Sequence, residues 1–400
     1  MRLLIHDYVG HPFPLQLSRE LAHQGHEVLH AYPHRPQDPQ ADLIKRPGDA
    51  PTLILRQLPF RPSGCPAPTS FLRRRRLEVA YGRQVARLVG TWRPDGVISV
   101  HTPTAPQGAI LKATRALGAP FLFWLQNFPS LAVDREVRTQ MPLLGELVGK
   151  AYRWIEGRQL RASHRVVIPA PDFAPFLEQD FRVPERRIAI IPNLAPLEDL
   201  PETPQDNPWS RRHRLANHFV YLYTGSLTLS QHPQLLLDLA ERTRRDPQVR
   251  VVVLSQGPGA DWLAAQQKTR QLPNLLLLPY QNFDQMPQVL ASSAVLLTLL
   301  ADTAETFLFP TKILSYLCAA RPLLLAGPAS NLAARLIRHE DLGLTVPPAD
   351  SPAFLAAAQR LRDQPPLATS CGRRARHYAE HHFQIEPIAA KFLQLFPPSF

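Results

Sequence analysis

Cysteine is scarce in this sequence, with three residues among 400. Cys65, Cys318 and Cys371 lie far apart and form no C-x-x-C pair. This pattern excludes a disulfide-stapled extracellular domain and a cysteine zinc cluster, and it indicates a protein of a reducing compartment.

Glycine is also scarce, at 18 residues, and the glycine-rich phosphate-binding motifs are absent. The sequence has no G-x-G-x-x-G and no G-x-x-x-x-G-K-[ST]. Nicotinamide-dependent oxidoreductases and P-loop kinases or ATPases are therefore disfavoured. The motifs H-E-x-x-H and G-x-S-x-G are missing as well, which disfavours the zinc proteases and serine hydrolases that carry them.

Long apolar runs are missing too. The most apolar segments, 275–278, 295–300 and 323–326, have the length of strands and fall far short of the roughly 20 residues that span a bilayer. The first five residues run directly into His6 and Asp7, without the apolar stretch of a signal peptide. We therefore expect a cytoplasmic protein, either free or peripheral on the inner face of the cytoplasmic membrane.

Arginine and proline, by contrast, are abundant. Lys and Arg total 45 against 33 Asp and Glu, a formal net charge of +12, and only six of the basic residues are lysine. This balance favours an anionic partner, and charge alone leaves nucleotide, phospholipid and nucleic acid open. A hydrophobic content of 44% is enough for packed cores, so a disordered chain is excluded despite 43 prolines.

Short apolar segments alternate with segments of helical period in both halves of the chain. This alternation predicts an α/β fold with two Rossmann-like parallel-sheet domains. The predicted strands are 2–5, 27–31, 96–100, 120–125, 165–169 and 188–191 in the first half, and 219–224, 250–254, 275–278, 294–299 and 322–326 in the second.

A proline-rich, charged segment separates the two halves. We predict an N-terminal domain over 1–197, a linker over 198–218 and a C-terminal domain over 219–372. A helical tail over 373–400 is expected to pack back on the N-terminal domain.

Two loops in the second half follow predicted strands and carry small or polar residues. Gly225 and Ser226 follow one strand, and Gln256 and Gly257 follow the next. Ligands of open α/β sheets bind at the carboxyl ends of strands, where helix N-termini attract phosphate. The loops are therefore candidates for a nucleotide cradle, and glycines that only permit tight turns would give the same pattern.

A lysine stands where a cation is electrostatically unfavourable. Pro310 fits the first position of a helix, so Thr311 and Lys312 would lie in its first turn. A positive charge there opposes the helix dipole by about a few tenths of a kcal/mol or more, and a bound pyrophosphate would reverse the effect. The alternative is a solvated lysine at a frayed turn.

A basic run, Arg73, Arg74, Arg75 and Arg76, opens a predicted helix. Arginines beside exposed apolar residues can rest on an anionic membrane surface, each charge contributing about 1 kcal/mol near the lipid. The same pattern fits the solvated start of a core-facing helix. No aromatic stacking platform accompanies the arginines, so no nucleic acid partner is expected.

Several short motifs, in order along nearly the whole chain, resemble those of the family 4 glycosyltransferases of the GT-B fold. The similarity is nearest to the bacterial capsule and exopolysaccharide sugar transferases. The motifs are LAHQGHEV at 21–28, QNFP at 126–129, IIPN at 190–193, YTGSL at 223–227 with Gln231, SQGP at 255–258, and FPTK at 309–312 leading to Arg321 and Pro322.

The resemblance implies the GT-B architecture, two Rossmann-like domains facing a central cleft. It implies a nucleotide-sugar donor on the C-terminal domain and a glycan or lipid-linked acceptor on the N-terminal one. Transfer would retain the anomeric configuration without a metal ion or other cofactor, in the synthesis of a surface polysaccharide. If the departing diphosphate takes the acceptor proton itself, no pair of carboxylates is required. This is consistent with the lack of a hydrolase-type pair of acids in the sequence.

Carried over residue by residue, the resemblance also implies site residues. The implied catalytic residues are Lys312, His101 and Asn127. The implied donor-binding residues are Gly225, Ser226, Gln231, Gln256, Gly257, Tyr280, Glu305, Thr311 and Ser315, and the acceptor-side residues are Gly10, His11 and Gln126. His101 has a second interpretation, as a capping residue.

The sequence departs from the family pattern at several of these positions. Ser226 and Gln231 stand where many members have Arg and Lys, and Ser315 stands where the second acid of E-x7-E falls. Lys312 is thus left nearly alone as a cation for the diphosphate. A catalytically weakened protein that binds a nucleotide sugar or a partner transferase is the second hypothesis, and a sugar-nucleotide epimerase of the same fold is the third.

Overall fold

The computed structural model describes residues 1–34, 43–60, 71–140, 145–195, 197–304 and 309–397, without some side chains of 132–140. The chain forms two compact units. The first is Met1–Leu194 with Ile385–Phe400, and the second is Ala195–Gln384.

The first unit is built on a parallel sheet whose seven described strands have the order β3-β2-β1-β4-β5-β6-β7. Its strands are β1 (Arg2–Asp7), β2 (Glu27–His34), β3 (Leu53–Pro59), β4 (Gly96–Val100), β5 (Phe121–Trp124), β6 (Arg165–Ile168) and β7 (Ile188–Ile190). Its helices before β7 are α1 (Pro12–His23), α2 (Phe71–Trp92), α3 (Thr104–Ala116), α4 (Pro129–Gln140), α5 (Gly145–Ala162) and α6 (Ala174–Gln179).

The second unit has a parallel sheet whose six described strands have the order β10-β9-β8-β11-β12-β13. Its strands are β8 (Phe219–Thr224), β9 (Val249–Leu254), β10 (Leu275–Leu278), β11 (Val295–Leu299), β12 (Leu323–Ala326) and β13 (Gly343–Val346). Its helices are α7 (Pro208–Arg212), α8 (Gln234–Arg242), α9 (Pro258–Arg270), α10 (Met286–Ala291), α11 (Thr311–Cys318), α12 (Leu332–His339), α13 (Ser351–Asp363) and α14 (Pro365–His382). The last helix of the chain, α15 (Ile385–Leu393), belongs to the first unit.

Helices cover both faces of the second sheet, and the strands are apolar on both sides. Tyr221 and Tyr223 of β8 pack in one core cluster, while Val220 and Leu222 pack in the other. Successive side chains of a strand point to opposite faces, so a strand buried twice must be apolar throughout. The prediction of parallel α/β domains is confirmed.

Each sheet has one point where the order of connection reverses. It lies between β1 and β4 in the first unit and between β8 and β11 in the second. The loops that follow these four strands diverge and leave a crevice at the carboxyl edge, where open α/β sheets bind their ligands. These are the positions at which a site is expected.

The segment predicted as a linker, 198–218, is instead a packed part of the second unit. Leu200, Trp209 and Leu215 are buried in the core that lies under β8 and β9. Asn207 caps α7 by accepting a hydrogen bond from the backbone N–H of Ser210 at 3.0 Å. The unit boundary therefore falls before Ala195, because these apolar side chains have their core in the second unit.

The C-terminal tail predicted over 373–400 is divided between the two units. Ala375 and Ala379 of α14, with Phe383, are buried in the core of the second unit. Ile388 and Phe392 of α15 are buried in the core of the first. The boundary at 372 is thus replaced by one after Gln384, where the buried side chains change core.

Among the described helices, none is both long enough and apolar enough to cross a bilayer.

Candidate functional site

Two glycine loops lock together at the carboxyl edge of the second sheet. Gly225 after β8 has φ +109°, and Gly257 after β9 has φ +106°. The backbone N–H of Leu227 donates to the Gln256 carbonyl at 3.1 Å, and that of Gly259 donates to the Leu227 carbonyl at 2.9 Å. A Cβ at Gly259 would lie 2.8 Å from the Leu227 oxygen, so this approach requires a residue without a side chain.

Helix α11 is fixed to the same edge by a tyrosine. It begins at Thr311, and Pro310 is its N-cap residue, one position before the expected one, because the backbone of Pro310 is still extended. Lys312 nevertheless lies in the first turn. One turn later the Tyr316 hydroxyl accepts a hydrogen bond from the backbone N–H of Thr224 at 2.9 Å. This bond places the start of α11 beside the end of β8.

The ammonium group of Lys312 is buried in the corner between these elements. Its Nζ has no hydrogen-bond partner among the described residues and lies 3.8 Å from the centroid of the Tyr223 ring. A Cβ at Gly225 would be 3.0 Å from Nζ. The alternative of a solvated surface lysine is therefore wrong.

Burial has a direct electrostatic consequence at this position. It lowers the pKa of Lys312 from its ordinary 10.5 to about 7. A cation in a water-poor place without an anion is unfavourable, and only an aromatic face compensates it here. An anion held at this corner would restore the charge of the lysine.

The other implied donor residues surround this corner but differ in what their side chains do. The Gln231 amide accepts from the Thr228 backbone N–H at 2.8 Å and donates to the Leu299 carbonyl at 3.2 Å, so it shapes the loop. The Ser226 and Gln256 side chains are exposed, and Thr311, Ser315 and Tyr280 are partly buried. Glu305 lies outside the described residues.

Replacing Gly225 with alanine tests how closely Lys312 depends on this loop. The new Cβ meets Nζ at 3.0 Å and Cε at 3.1 Å and faces a left-handed backbone. We expect about 1–2 kcal/mol of lost stability from strain and, in addition, a loss of anion affinity because the ammonium is displaced.

Gly25→Ala is the matched control. Gly25 also has a left-handed φ, +89°, but a Cβ there meets nothing within 4 Å. It should lose stability without losing nucleotide affinity in calorimetry. If Gly225→Ala and the native protein bind the nucleotide with equal affinity, Gly225 is not part of the anion site.

Two histidines face each other at the carboxyl edge of the first sheet. Gly10 (φ +85°) ends the loop after β1, His11 is the N-cap residue of α1, and His101 follows β4. The ring centroids of His11 and His101 are 4.8 Å apart. The structure therefore brings together three of the residues implied on this unit.

The imidazole of His101 is neutral and its backbone is strained. Burial, and then the charge of His11, hold its pKa well below the ordinary value, and burial lowers the pKa of His11 to about 4. His101 has φ +53°, and its Nδ1 is buried without a hydrogen-bond partner among the described residues. A non-glycine residue in this conformation marks a position worth a functional hypothesis.

The capping interpretation of His101 is wrong. The residue at the N-cap of α3 is Pro103, with no side-chain capping bond. Hydrogen bonds to His6 of β1 instead fix the loop after β4. Nδ1 of His6 lies 3.0 Å from the Thr102 hydroxyl and 3.2 Å from the Ser99 hydroxyl. His101 is thus carried by an anchored loop.

Gln126 and Asn127 follow β5 at the same edge, and only one of them is available to a ligand. The Gln126 amide exchanges two hydrogen bonds with the Asn193 amide, at 2.8 and 2.7 Å. Asn127 is exposed. The pair joins the end of β5 to the segment that leaves the first unit.

A buried carboxyl group supports the loop that carries Asn127. Glu156 of α5 accepts a hydrogen bond from the Ser130 backbone N–H at 3.0 Å, in the first turn of α4. Burial raises the pKa of Glu156 to about 7, partly offset by the hydrogen bonds from Ser130. Glu156 therefore changes charge near neutral pH.

Glu156→Gln should change how stability depends on pH. The folded pKa of about 7 lies above the ordinary 4.5, so the unfolded chain loses this proton first. The free energy of unfolding of the native protein should fall by up to about 3 kcal/mol as pH rises from 4.5 to 7. That of the variant should not show this fall. Urea denaturation at a series of pH values measures the difference.

Glu146→Gln, at an exposed position of the same helix, is the control and should follow the native profile. Parallel pH profiles for Glu156→Gln and the native protein would contradict this assignment.

Each of the two units is matched by a model of a protein family. The model of the "Glycosyl transferase 4-like domain" matches residues 11–194, and that of "Glycosyl transferases group 1" matches residues 218–364. The two matched ranges cover more than half of the chain and follow the two units. The chain belongs to the family 4 glycosyltransferases of the GT-B fold. The family predicted from the short motifs is confirmed.

Among curated proteins, this glycosyltransferase is 24% identical over 178 residues to the putative colanic acid biosynthesis glycosyl transferase WcaI of Escherichia coli. That match spans 44% of this chain and 42% of WcaI.

Solved structures share the fold over nearly the whole length. HepE of Anabaena, in complex with UDP and glucose, gives a TM-score of 0.69 at 14% identity over 98% of each chain. Sucrose-phosphate synthase of Thermosynechococcus elongatus gives 0.72 at 16% identity, over 99% of this chain and 98% of that one. At such identities the likeness concerns the fold alone.

Four side chains that organise the candidate sites of the two units are not among the site residues predicted from the sequence. Tyr223 faces Lys312, and Tyr316 anchors α11. The other two, Asn193 and Glu156, support the loop after β5 in the first unit. Tyr316 was accessible to reasoning, because it lies four residues after Lys312 and so on the same helix face. Nothing in the sequence singles out Glu156. No group of three or more metal-ligating residues occurs in the described parts of the chain.

Proposed function

We propose that this glycosyltransferase moves a sugar from a nucleotide-sugar donor to a hydroxyl of a glycan or lipid-linked acceptor, in the synthesis of a surface polysaccharide. The donor binds at the carboxyl edge of the second sheet and the acceptor at that of the first. Transfer retains the anomeric configuration and uses no metal ion.

The observation that carries this proposal is the buried ammonium of Lys312. It lies against Gly225 and has no hydrogen-bond partner among the described residues. Lys312 is in the first turn of α11, the helix after β11, and the order of strands reverses between β8 and β11. A diphosphate there would gain both the lysine charge and the dipole of the helix.

The chemical step needs little beyond charge stabilisation and positioning. The bond from the anomeric carbon to the diphosphate oxygen breaks, and a bond from that carbon to the acceptor oxygen forms. The acceptor proton moves to the departing diphosphate. Lys312 stabilises the negative charge that develops on the leaving group, which is where a preorganised cation has its largest effect.

On the first unit, neutral His101 and exposed Asn127 supply hydrogen bonds to sugar or acceptor hydroxyls. A neutral imidazole can both donate and accept, and the low pKa of His101 keeps it in that form. Gln126 acts through Asn193, by fixing the loop rather than by touching substrate.

The names of related proteins support the donor and the pathway class. HepE was solved with UDP-glucose, and the name of WcaI assigns it to colanic acid synthesis. A UDP-sugar donor and a polysaccharide product are the corresponding proposals for this chain.

A cytoplasmic location on the inner membrane face is part of the same proposal. Leu72, Arg73 and Arg76 at the start of α2 are exposed, whereas Arg75 donates to the Tyr152 hydroxyl. The membrane-facing charge would thus come from part of the basic run.

Incubation with a panel of UDP-, GDP- and dTDP-sugars tests the function. We expect one donor to release its nucleoside diphosphate, faster with a lipid-linked or glycan acceptor. The product anomer, read by proton NMR, should match the donor anomer, and EDTA should not reduce the rate. An inverted product or loss of activity with EDTA would contradict the corresponding part of the proposal.

A nucleotide-sugar-binding protein without transfer is the second candidate. It is favoured by one observation, that the Gln231 amide is engaged by the Thr228 backbone N–H and the Leu299 carbonyl and offers no charge to a diphosphate. Nucleotide binding in thermal shift, together with no turnover of any donor with any acceptor, would select it.

A further inference from the structure

A cavity of about 560 Å³ opens at the amino-terminal edge of the first sheet. It lies where α3 ends and where β5, β6 and β7 begin, the edge opposite to His101 and Asn127. A strand of four residues, such as β5, separates the two edges by about 13 Å. We call this cavity the amino-edge pocket.

The lining of the amino-edge pocket is strongly basic. Its charged and titratable residues are Arg115, His164, Arg165, Arg186 and Arg187, and its described lining includes no Asp or Glu. In the described parts of the chain, none of these arginines has a carboxylate oxygen within 4.0 Å. Four guanidinium groups around one cavity repel each other unless an anion lies among them.

Two of the arginines are held in place by backbone carbonyls. Arg165 donates to the His164 carbonyl at 3.0 Å, and Arg187 donates to the Arg161 carbonyl. Each of these bonds uses part of a fork of five N–H donors, so the rest of each guanidinium remains for a ligand. Such forks match the geometry of phosphate oxygens.

The lining of the amino-edge pocket also includes the imidazole-bearing residue His164. Its pKa is lowered by burial, then by the charges of Arg165 and Arg187, against a backbone hydrogen bond at Leu395 that raises it. A neutral imidazole among arginines can add one more hydrogen bond to an anion.

We propose that the amino-edge pocket binds a phosphate-bearing anion, held by the guanidinium groups of Arg115, Arg165, Arg186 and Arg187. The ligand is a phosphate ester, either soluble or the headgroup of a lipid. This site is separate from the donor site and does not depend on the proposed transfer.

A second feature bears on the source of the phosphate. A groove between α3 and α5 adjoins the pocket and shares Arg115 and Ala162 with it. Its larger apolar lining residues are Leu111, Ile155 and Trp154, a residue that is 59% exposed. An apolar groove next to a phosphate pocket suits a lipid, whereas a soluble ester would leave the groove empty.

The test compares two double variants with the same change of net charge. Arg115→Ala/Arg186→Ala removes two exposed pocket arginines, and Arg83→Ala/Arg87→Ala removes two exposed arginines of α2. Glycerol 3-phosphate is titrated by calorimetry, and phosphatidylglycerol vesicles are used in a flotation assay. We expect the pocket variant to lose about tenfold or more in affinity and the α2 variant to bind like the native protein.

The two probes separate the sources of the phosphate. Saturable binding of glycerol 3-phosphate that the pocket variant loses supports a soluble ester, and loss confined to vesicles supports a lipid headgroup. Equal losses in both double variants, or no binding of either probe by the native protein, would overturn the proposal. Nucleotide affinity should be unchanged in the pocket variant, so failure here is distinguishable from failure of the proposed function.

Discussion

Replacing Lys312 with alanine is expected to weaken nucleoside-diphosphate binding by about 1.5–3 kcal/mol, the range for a hydrogen bond to a charged group. The effect on transfer should be larger, about 10²–10³ in kcat, because the lysine faces the charge that develops on the departing diphosphate. Calorimetry with the nucleotide and steady-state kinetics with the donor measure the two effects.

Two further variants make the result specific to charge. Lys312→Met keeps an unbranched chain over Tyr223 and should behave like the alanine variant. Lys268→Ala, at an exposed position of α9, should bind and turn over like the native protein. Unchanged affinity in Lys312→Met would remove Lys312 from the donor site.

Nucleotide binding should also take up a proton. In the free protein Lys312 has a pKa of about 7, so at pH 8 about nine tenths of the molecules carry it neutral. A bound diphosphate returns the pKa toward its ordinary 10.5, and the lysine becomes charged. Calorimetry in buffers of different ionisation enthalpy should show an uptake of about 0.9 proton at pH 8.

The sign of the accompanying pH dependence follows from the same shift. The charged lysine binds better than the neutral one, so affinity should be nearly constant below pH 7 and fall above it, by a total that approaches the loss seen in Lys312→Met. The phenols of Tyr223 and Tyr316 lie near Lys312, and burial raises the pKa of each, so both stay neutral in this range. Lys312→Met gives the baseline, because the ligand's own phosphate titrates equally with both proteins. The same proton uptake in this variant would contradict the assignment.

Much of the fold was predictable because both sheets are buried on two sides. Runs such as 251–254 and 323–326 are apolar throughout and stand out from the helices between them. The elements that the sequence did not reveal are marginal in pattern. β3 is an edge strand with Arg56 and Gln57 among its residues, and β13 and α12 are short.

The unit boundaries were less predictable because they depend on tertiary packing. The segment 198–218 has the composition of a linker, yet Trp209 finds its core in the second unit. The single tail predicted over 373–400 likewise contains Ala379, which is buried in the core of the second unit, and Phe392, which is buried in the core of the first. Local sequence does not encode that choice.

The candidate site was predictable in its positions and not in its electrostatics. Glycine after a strand and lysine in a first helical turn located Gly225 and Lys312. That the lysine is buried over Tyr223, and therefore titrates near neutrality, requires two elements distant in sequence, β8 and α11. The amino-edge pocket is likewise invisible in sequence, because its arginines come from α3, β6 and the turn before β7.

The most direct test of a donor site around Lys312 is a crystal structure of the protein with a bound nucleotide sugar. We expect the diphosphate at the N-terminus of α11, with an oxygen within hydrogen-bonding distance of Lys312 Nζ and of the backbone after Gly225. A nucleotide sugar bound elsewhere, with the ammonium still facing only Tyr223, would contradict the proposed site and the transfer mechanism built on it.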